Sequence, residues 1–340
     1  MSEELIQTAE AIGARGRGIL AADESTPTIK KRFDTIGAES TEDNRRDYRE
    51  LLFRTGAMAN NISGVILFDE TLRQSGSDGT PIVEIIKSQG SIPGVKVDKG
   101  AKPLPGAAGE TVTEGLDGLR ERLNEYYELG ARFAKWRAVI AIDDTLPSSY
   151  GVKANAHALG RYAALCQEAG LVPIVEPEVL MDGGHDIDRC FEVTEYVLKT
   201  VYAELYEQRI LLEGSVLKPN MVLPGLKCPD QSSLEAVAEQ TVRCLRRAVP
   251  TAVPSIVFLS GGQSDLDATA RLNAMNAGFE TPWNLSFSYG RALQAAPLKA
   301  WAGSAANTLA AQAAFGHRAT MNGLATKGEW NPDLEAEAAE

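Results

Sequence analysis

An apolar run that stops on a lysine is the first place to look for chemistry. The segment Gly214-Ser215-Val216-Leu217-Lys218-Pro219-Asn220 has that form. Charged residues close other apolar runs as well: Asp23, Lys96 with Asp98, Lys135 with Arg137, and Glu176 with Glu178. Side chains alternate faces along a strand, so each of these pairs shares one face. One such pair reads most simply as a structural ion pair. Three successive runs of this kind, with Asp23 and Lys218 added, read instead as a polar layer at the mouth of a barrel, where catalytic side chains gather. Lysines and carboxylates crowded in one pocket suit carbonyl chemistry by an amine nucleophile.

A protonated amine cannot attack a carbonyl. Burial or a second cation frees the lone pair, and Lys135 is the expected cationic neighbour of Lys218. Attack on a ketone gives a carbinolamine, and loss of water gives an iminium that accepts electrons when an adjacent carbon–carbon bond breaks. The route needs an acid and a base; Glu176, Glu178 and Asp23 are the candidates.

Two further segments suit phosphate. Leu259-Ser260-Gly261-Gly262-Gln263-Ser264 and Ser286-Phe287-Ser288-Tyr289-Gly290-Arg291 each follow an apolar run. Glycines let backbone N–H groups approach an anion, and barrels often hold phosphate after strands seven and eight. A Gly pair alone reads as a tight loop; Arg291 beside it favours phosphate. The run Lys30-Lys31-Arg32 is read two ways, as a solvated helix face or as a clamp for a second phosphate.

These residues need a frame. Eight short apolar runs end at 23, 68, 98, 139, 178, 218, 260 and 289, roughly 30 to 45 residues apart, with amphipathic stretches between them. Helices are expected over 116–129, 156–170, 189–208 and 233–248. The fold class expected is α/β, a (β/α)8 barrel over residues 1–325 with extra helices, followed by a flexible acidic tail over 326–340. The Gly- and Pro-rich stretch 98–113 is expected to be a long loop. The glycines at 13, 16 and 18 precede a strand, which is the wrong order for a dinucleotide fingerprint.

Composition narrows the function. The chain has 340 residues, 44% of them hydrophobic, and a net charge of −12. That balance argues against nucleic acid or an anionic membrane as partner. No apolar stretch is long enough to span a bilayer, and the acidic start lacks signal-peptide features. The expectation is a soluble cytoplasmic protein. Four cysteines without a CxxC pair read as free thiols, and three scattered histidines argue against a metal site.

Taken together, Gly18-Ile19-Leu20-Ala21-Ala22-Asp23-Glu24-Ser25, Val95-Lys96-Val97-Asp98-Lys99-Gly100, Phe133-Ala134-Lys135-Trp136-Arg137, Pro173-Ile174-Val175-Glu176-Pro177-Glu178, Leu217-Lys218-Pro219-Asn220-Met221 and the two phosphate segments are collinear with one family. From about Leu5 to about Leu324 the chain resembles the class I fructose-bisphosphate aldolases. The resemblance implies reversible cleavage of fructose 1,6-bisphosphate to dihydroxyacetone phosphate and glyceraldehyde 3-phosphate, in glycolysis and gluconeogenesis. It implies no cofactor, no metal and a homotetramer.

By the same resemblance Lys218 is the Schiff-base lysine and Glu176 the acid/base of carbinolamine dehydration. Lys135 supports charge, and Asp23 takes the C4-hydroxyl proton. Glu178 and Arg137 support the network, and Lys96 meets substrate. Ser260, Gly261, Gly290 and Arg291 hold the C1 phosphate; Ser25, Thr28, Lys31 and Arg32 lie toward the C6 phosphate. One departure is a tail without the terminal tyrosine found in many members, there being no tyrosine after Tyr289. Enamine protonation is therefore expected to be slower or to use another group. Transaldolase, deoxyribose-phosphate aldolase and a non-catalytic scaffold are the competing readings. The two phosphate sites disfavour the first two, and the desolvation cost of a buried charge cluster disfavours the third.

Overall fold

The computed structural model describes residues 2–336. Its strands are β1 (Gly18–Ala22), β2 (Ile62–Leu67), β3 (Ile92–Lys96), β4 (Ala101–Pro103), β5 (Thr111–Thr113), β6 (Phe133–Ile140), β7 (Val172–Val179), β8 (Val216–Leu217), β9 (Ser255–Phe258) and β10 (Asn284–Tyr289). Eight of them close a barrel in the order β1-β10-β9-β8-β7-β6-β3-β2, and each neighbouring pair is parallel. Helices connect them, the longest being Ser149–Glu168 and Ile187–Glu207. β1, β2 and β7 are buried at every position, because the barrel interior covers one face and helices the other.

Two apolar clusters follow from strand alternation. Leu20, Trp136, Val175, Leu217 and Phe258 pack outward against helices. Ile19, Ala21, Phe133, Ile174, Val216 and Val257 point inward, joined from below by Leu5, Ala9 and Ile12 of the helix Ser2–Ile12, which plugs the barrel floor. Gly94 makes room there: a Cβ on it would stand 2.2 Å from the Phe133 ring. Counting on by two from the inward residues reaches Asp23, Lys135, Glu176 and Lys218. A one-residue slip of any of these strands would turn its charge onto the helices.

One stretch differs from expectation. Residues 98–113 contain the antiparallel hairpin β4–β5, which is stitched to β6 where Thr113 Oγ1 donates to Arg137 O at 2.7 Å. The acidic end is tied down over its described part. Trp330 N donates to Asn273 Oδ1 at 3.0 Å, and Glu335 accepts from Arg318 Nη1 at 2.5 Å and Trp330 Nε1 at 2.9 Å. Residues 337–340 of the expected tail lie outside the described residues. Among the described residues no helix is long and apolar enough to cross a membrane.

Candidate active site

Four strands build the centre: Asp23 and Lys218 directly follow β1 and β8, while Lys135 and Glu176 lie within β6 and β7. Lys218 continues the ladder past β8, its N–H donating to Val175 O at 2.8 Å. That bond aims its side chain inward beside β7. Lys218 Nζ lies 3.1 Å from Glu176 Oε1. Lys135 Nζ lies 3.2 Å from Glu176 Oε2 and 2.6 Å from Asp23 Oδ2. The result is one chain of alternating charge across the mouth: Lys218, Glu176, Lys135, Asp23.

Lys218, Lys135 and Glu176 are each at most 4% exposed. Two cations against two anions keep the desolvation cost bearable, whereas removing one member would leave a buried charge unpaired. Burial works to raise the Glu176 carboxyl, but Lys135, Lys218 and Arg137 outweigh it and hold the group below its ordinary range. Asp23 behaves alike: burial pushes up, while Lys135, Lys218 and Lys96 pull it far below. For Lys135 burial pushes down, yet Asp23, Glu176 and Asp98 raise it. Glu176 is thus an ionised base in reach of two amines. The Lys135 contact is off-axis for a hydrogen bond, and Oε2 keeps a free lone pair.

A supporting ring surrounds this chain. Arg137 Nε pairs with Glu178, and Asp98 Oδ2 accepts from Arg137 N at 3.3 Å. Lys96 Nζ is 3.4 Å from Asp98 Oδ1. Lys96 and Ser25 line a cleft of about 570 Å³ that opens from the mouth between β1, β2 and β3. Ser25 Oγ is 3.1 Å from Thr28 Oγ1 at the start of the helix Thr26–Asp34.

The phosphate segments meet across the rim. Gly261 has φ +57°, the left-handed region that glycine enters without strain. Arg291 Nη2 donates to Gly261 O, joining the loop after β9 to the helix Arg291–Trp301 after β10. Ser260 is buried beside them, and Gly290 precedes the helix. A glycine loop, a helix start and a cation therefore meet on one side of the rim, a setting that suits an anion.

The structure does not bring Lys31 and Arg32 into the Lys96 cleft. Lys31 is exposed and has no partner among the described residues. Arg32 turns to Glu24 and stands beside Gly290, where its Nη2 would be 3.7 Å from a Cβ. Glu24 escaped the sequence reading. It is 6% exposed, pairs with Arg32, accepts from Gln294 Nε2 at 2.8 Å, and lies 3.7 Å from Arg49 Nη2. Its signal was a second acid directly after Asp23, followed by a basic run on a helix. All four cysteines are free thiols. Among the described residues no cluster of three His, Cys, Asp or Glu side chains could hold a metal ion.

Known proteins resemble this chain in sequence and fold. The family described as "Fructose-bisphosphate aldolase class-I" matches residues 4–340. A protein of Xanthomonas axonopodis pv. citri named "Probable fructose-bisphosphate aldolase class 1" is 58% identical over 329 residues, 96% of this chain and 98% of its own length. "Fructose-bisphosphate aldolase 6, cytosolic" of Arabidopsis thaliana is 56% identical, covering 98% and 93%. Among solved structures, the fructose-bisphosphate aldolase of Plasmodium falciparum, in complex with TRAP and a small-molecule inhibitor, superposes with a TM-score of 0.95 at 50% identity, covering 97% and 96%. With its barrel, its buried lysine–carboxylate chain and these relatives, the chain belongs to the class I fructose-bisphosphate aldolases.

Proposed function

We infer that this aldolase cleaves fructose 1,6-bisphosphate reversibly, with Lys218 as the Schiff-base nucleophile. The observation that carries the assignment is Glu176 standing between Lys218 and Lys135 at 3.1 and 3.2 Å. Glu176 first takes a proton from the Lys218 ammonium across their contact, and the neutral Nζ attacks the C2 carbonyl. Attack leaves an extra proton on nitrogen and the negative charge on oxygen, and transfer of that proton to the oxygen gives the carbinolamine hydroxyl. Glu176 then gives its own proton to that hydroxyl as water leaves, giving the iminium. Lys135 holds Glu176 ionised for the first half of this transfer and steadies the departing oxygen.

Asp23, kept as a carboxylate by the lysines around it, takes the C4-hydroxyl proton. The C3–C4 bond then breaks, its electron pair moves toward the iminium, and glyceraldehyde 3-phosphate is released. Protonation of the enamine at C3 and hydrolysis return dihydroxyacetone phosphate and free Lys218. Glu178 and Arg137 hold the network in place. Ser260, Gly261, Gly290 and Arg291 seat the C1 phosphate; Ser25, Thr28 and Lys96 face the C6 end. Arg32 supports the rim from beside Gly290, and Lys31 reaches the anion only from solvent. No cofactor enters these steps.

A cytoplasmic homotetramer is the proposed working form, for which light scattering gives the mass. Borohydride trapping with fructose 1,6-bisphosphate in the presence of EDTA, followed by peptide mass mapping, tests the mechanism. A reduced adduct on the Lys218 peptide is expected. No adduct, with cleavage that EDTA stops, would overturn it.

A further inference from the structure

Outside the charge chain, one side chain rests on the phosphate loop without having been assigned any part in it. Met181 follows β7, and its Sδ sits against Gly262, accepting from its N–H. A Cβ on Gly261 would stand 2.9 Å from that sulfur and one on Gly262 3.1 Å from it, so the loop's two glycines are what let the thioether lie against the backbone. The Met181 main chain is fixed in turn, its carbonyl accepting from Leu226 N at 2.7 Å in the segment after β8. Three consecutive loops around the mouth thus meet at one residue. Behind them, a void of about 10 Å³ lined by Met181, Leu259, Ser260 and Gln263 leaves the loop little room to retreat.

We propose that Met181 is a positioning residue for the C1 phosphate. Its sulfur takes up the Gly262 N–H and holds the peptide so that Ser260 and Gly261 stay turned toward the anion. A thioether is a weak, polarizable acceptor on a flexible stem, suited to a contact that must follow the loop when phosphate arrives. The inference rests on the assignment of the Ser260–Gly262 loop to the C1 phosphate.

The test compares Met181→Leu, which keeps apolar volume and loses the acceptor, with Met181→Gln, which restores an acceptor of similar reach. Steady-state kinetics are measured with fructose 1,6-bisphosphate and fructose 1-phosphate, both of which carry the C1 phosphate. Leu is expected to raise KM for both by the same factor, about fivefold, with kcat within about twofold, and Gln to reverse most of the rise. Unchanged KM in the Leu variant, a rise with the bisphosphate alone, or a Leu effect that Gln does not reverse would each overturn the role. Arg291→Ala in the same assay separates the two claims. If it leaves both KM values unchanged, the loop is not the C1 site and both fall; if it raises them while Met181→Leu does not, only the role of Met181 falls.

Discussion

The two halves of the mouth are built by different means. On β1, β6, β7 and β8, side chains do the work: Asp23, Lys135, Glu176 and Lys218 are spaced 2.6 to 3.2 Å apart, three of them almost wholly buried. After β9 and β10 the backbone does it, through glycine loops and helix starts, with Arg291 tying the two loops together. The first half sits on rigid strands, where a misplacement of one ångström would break a proton transfer. The second sits on loops, which suits an anion that binds tightly but does not react. Substitutions in the first half should therefore act on kcat, and those in the second on KM.

The sharpest way to break that division is Lys218→Met. It keeps an apolar stem and removes the nucleophile, so kcat should fall on the order of 10⁴-fold or more and the borohydride adduct should vanish. Appreciable turnover in this variant would move the nucleophile elsewhere. Glu176→Gln should cost about 10²- to 10³-fold in kcat with KM little changed, because an amide keeps the shape but carries no proton to the leaving hydroxyl. Single-turnover traces would show the loss in carbinolamine dehydration; an unchanged dehydration rate would remove the role. Across the mouth, Arg291→Ala should raise KM for fructose 1,6-bisphosphate by roughly tenfold and leave kcat within a few-fold. A collapse of kcat instead would mean that the two halves are not separable.

The charge half was the more legible in sequence, for a physical reason. An alternating strand with apolar neighbours settles which face each charge takes, so Lys135 with Arg137 and Glu176 with Glu178 could be placed before any contact was known. The barrel could be placed too, since eight strand–helix repeats with strands apolar on both faces leave few other closures. Glu24, Gln294 and Met181 were not legible. Glu24 meets a partner 270 residues away and Met181 one 81 residues away, and no local periodicity encodes contacts between loops. The run Lys31–Arg32 stays ambiguous in sequence for a related reason. Arg32 folds back over the start of its helix to Glu24, which precedes the cap Ser25, and a basic run alone does not show that its charge is already matched.

The smallest expected effect is on stability, and it separates the halves once more. Asp23 and Glu176 have ordinary values of 3.8 and 4.5 and sit below them in the folded chain. A depressed carboxylate adds stability that is present above its unfolded pKa and lost as pH falls through the folded one. Lys135 is raised above its ordinary 10.5, so its contribution is present below that value and lost only as pH rises through the higher folded pKa. Between about pH 5 and 10 these three groups should leave Tm flat, and below about pH 4 it should begin to drop. Lys135→Met takes away the strongest ammonium neighbour of both carboxylates, leaving burial to push them up. Its acid drop should be shallower, or reversed where burial lifts a carboxyl above its ordinary value, because these groups then have less stability to lose on protonation, whatever its Tm at neutrality. Arg291→Ala, on the backbone half, should keep the wild-type profile. Thermal melts of the three proteins from pH 3 to pH 10 decide it: coincident acid limbs in wild type and Lys135→Met would mean that Lys135 does not hold Asp23 and Glu176 ionised, and the claim that the side-chain half works through one coupled charge chain would fail.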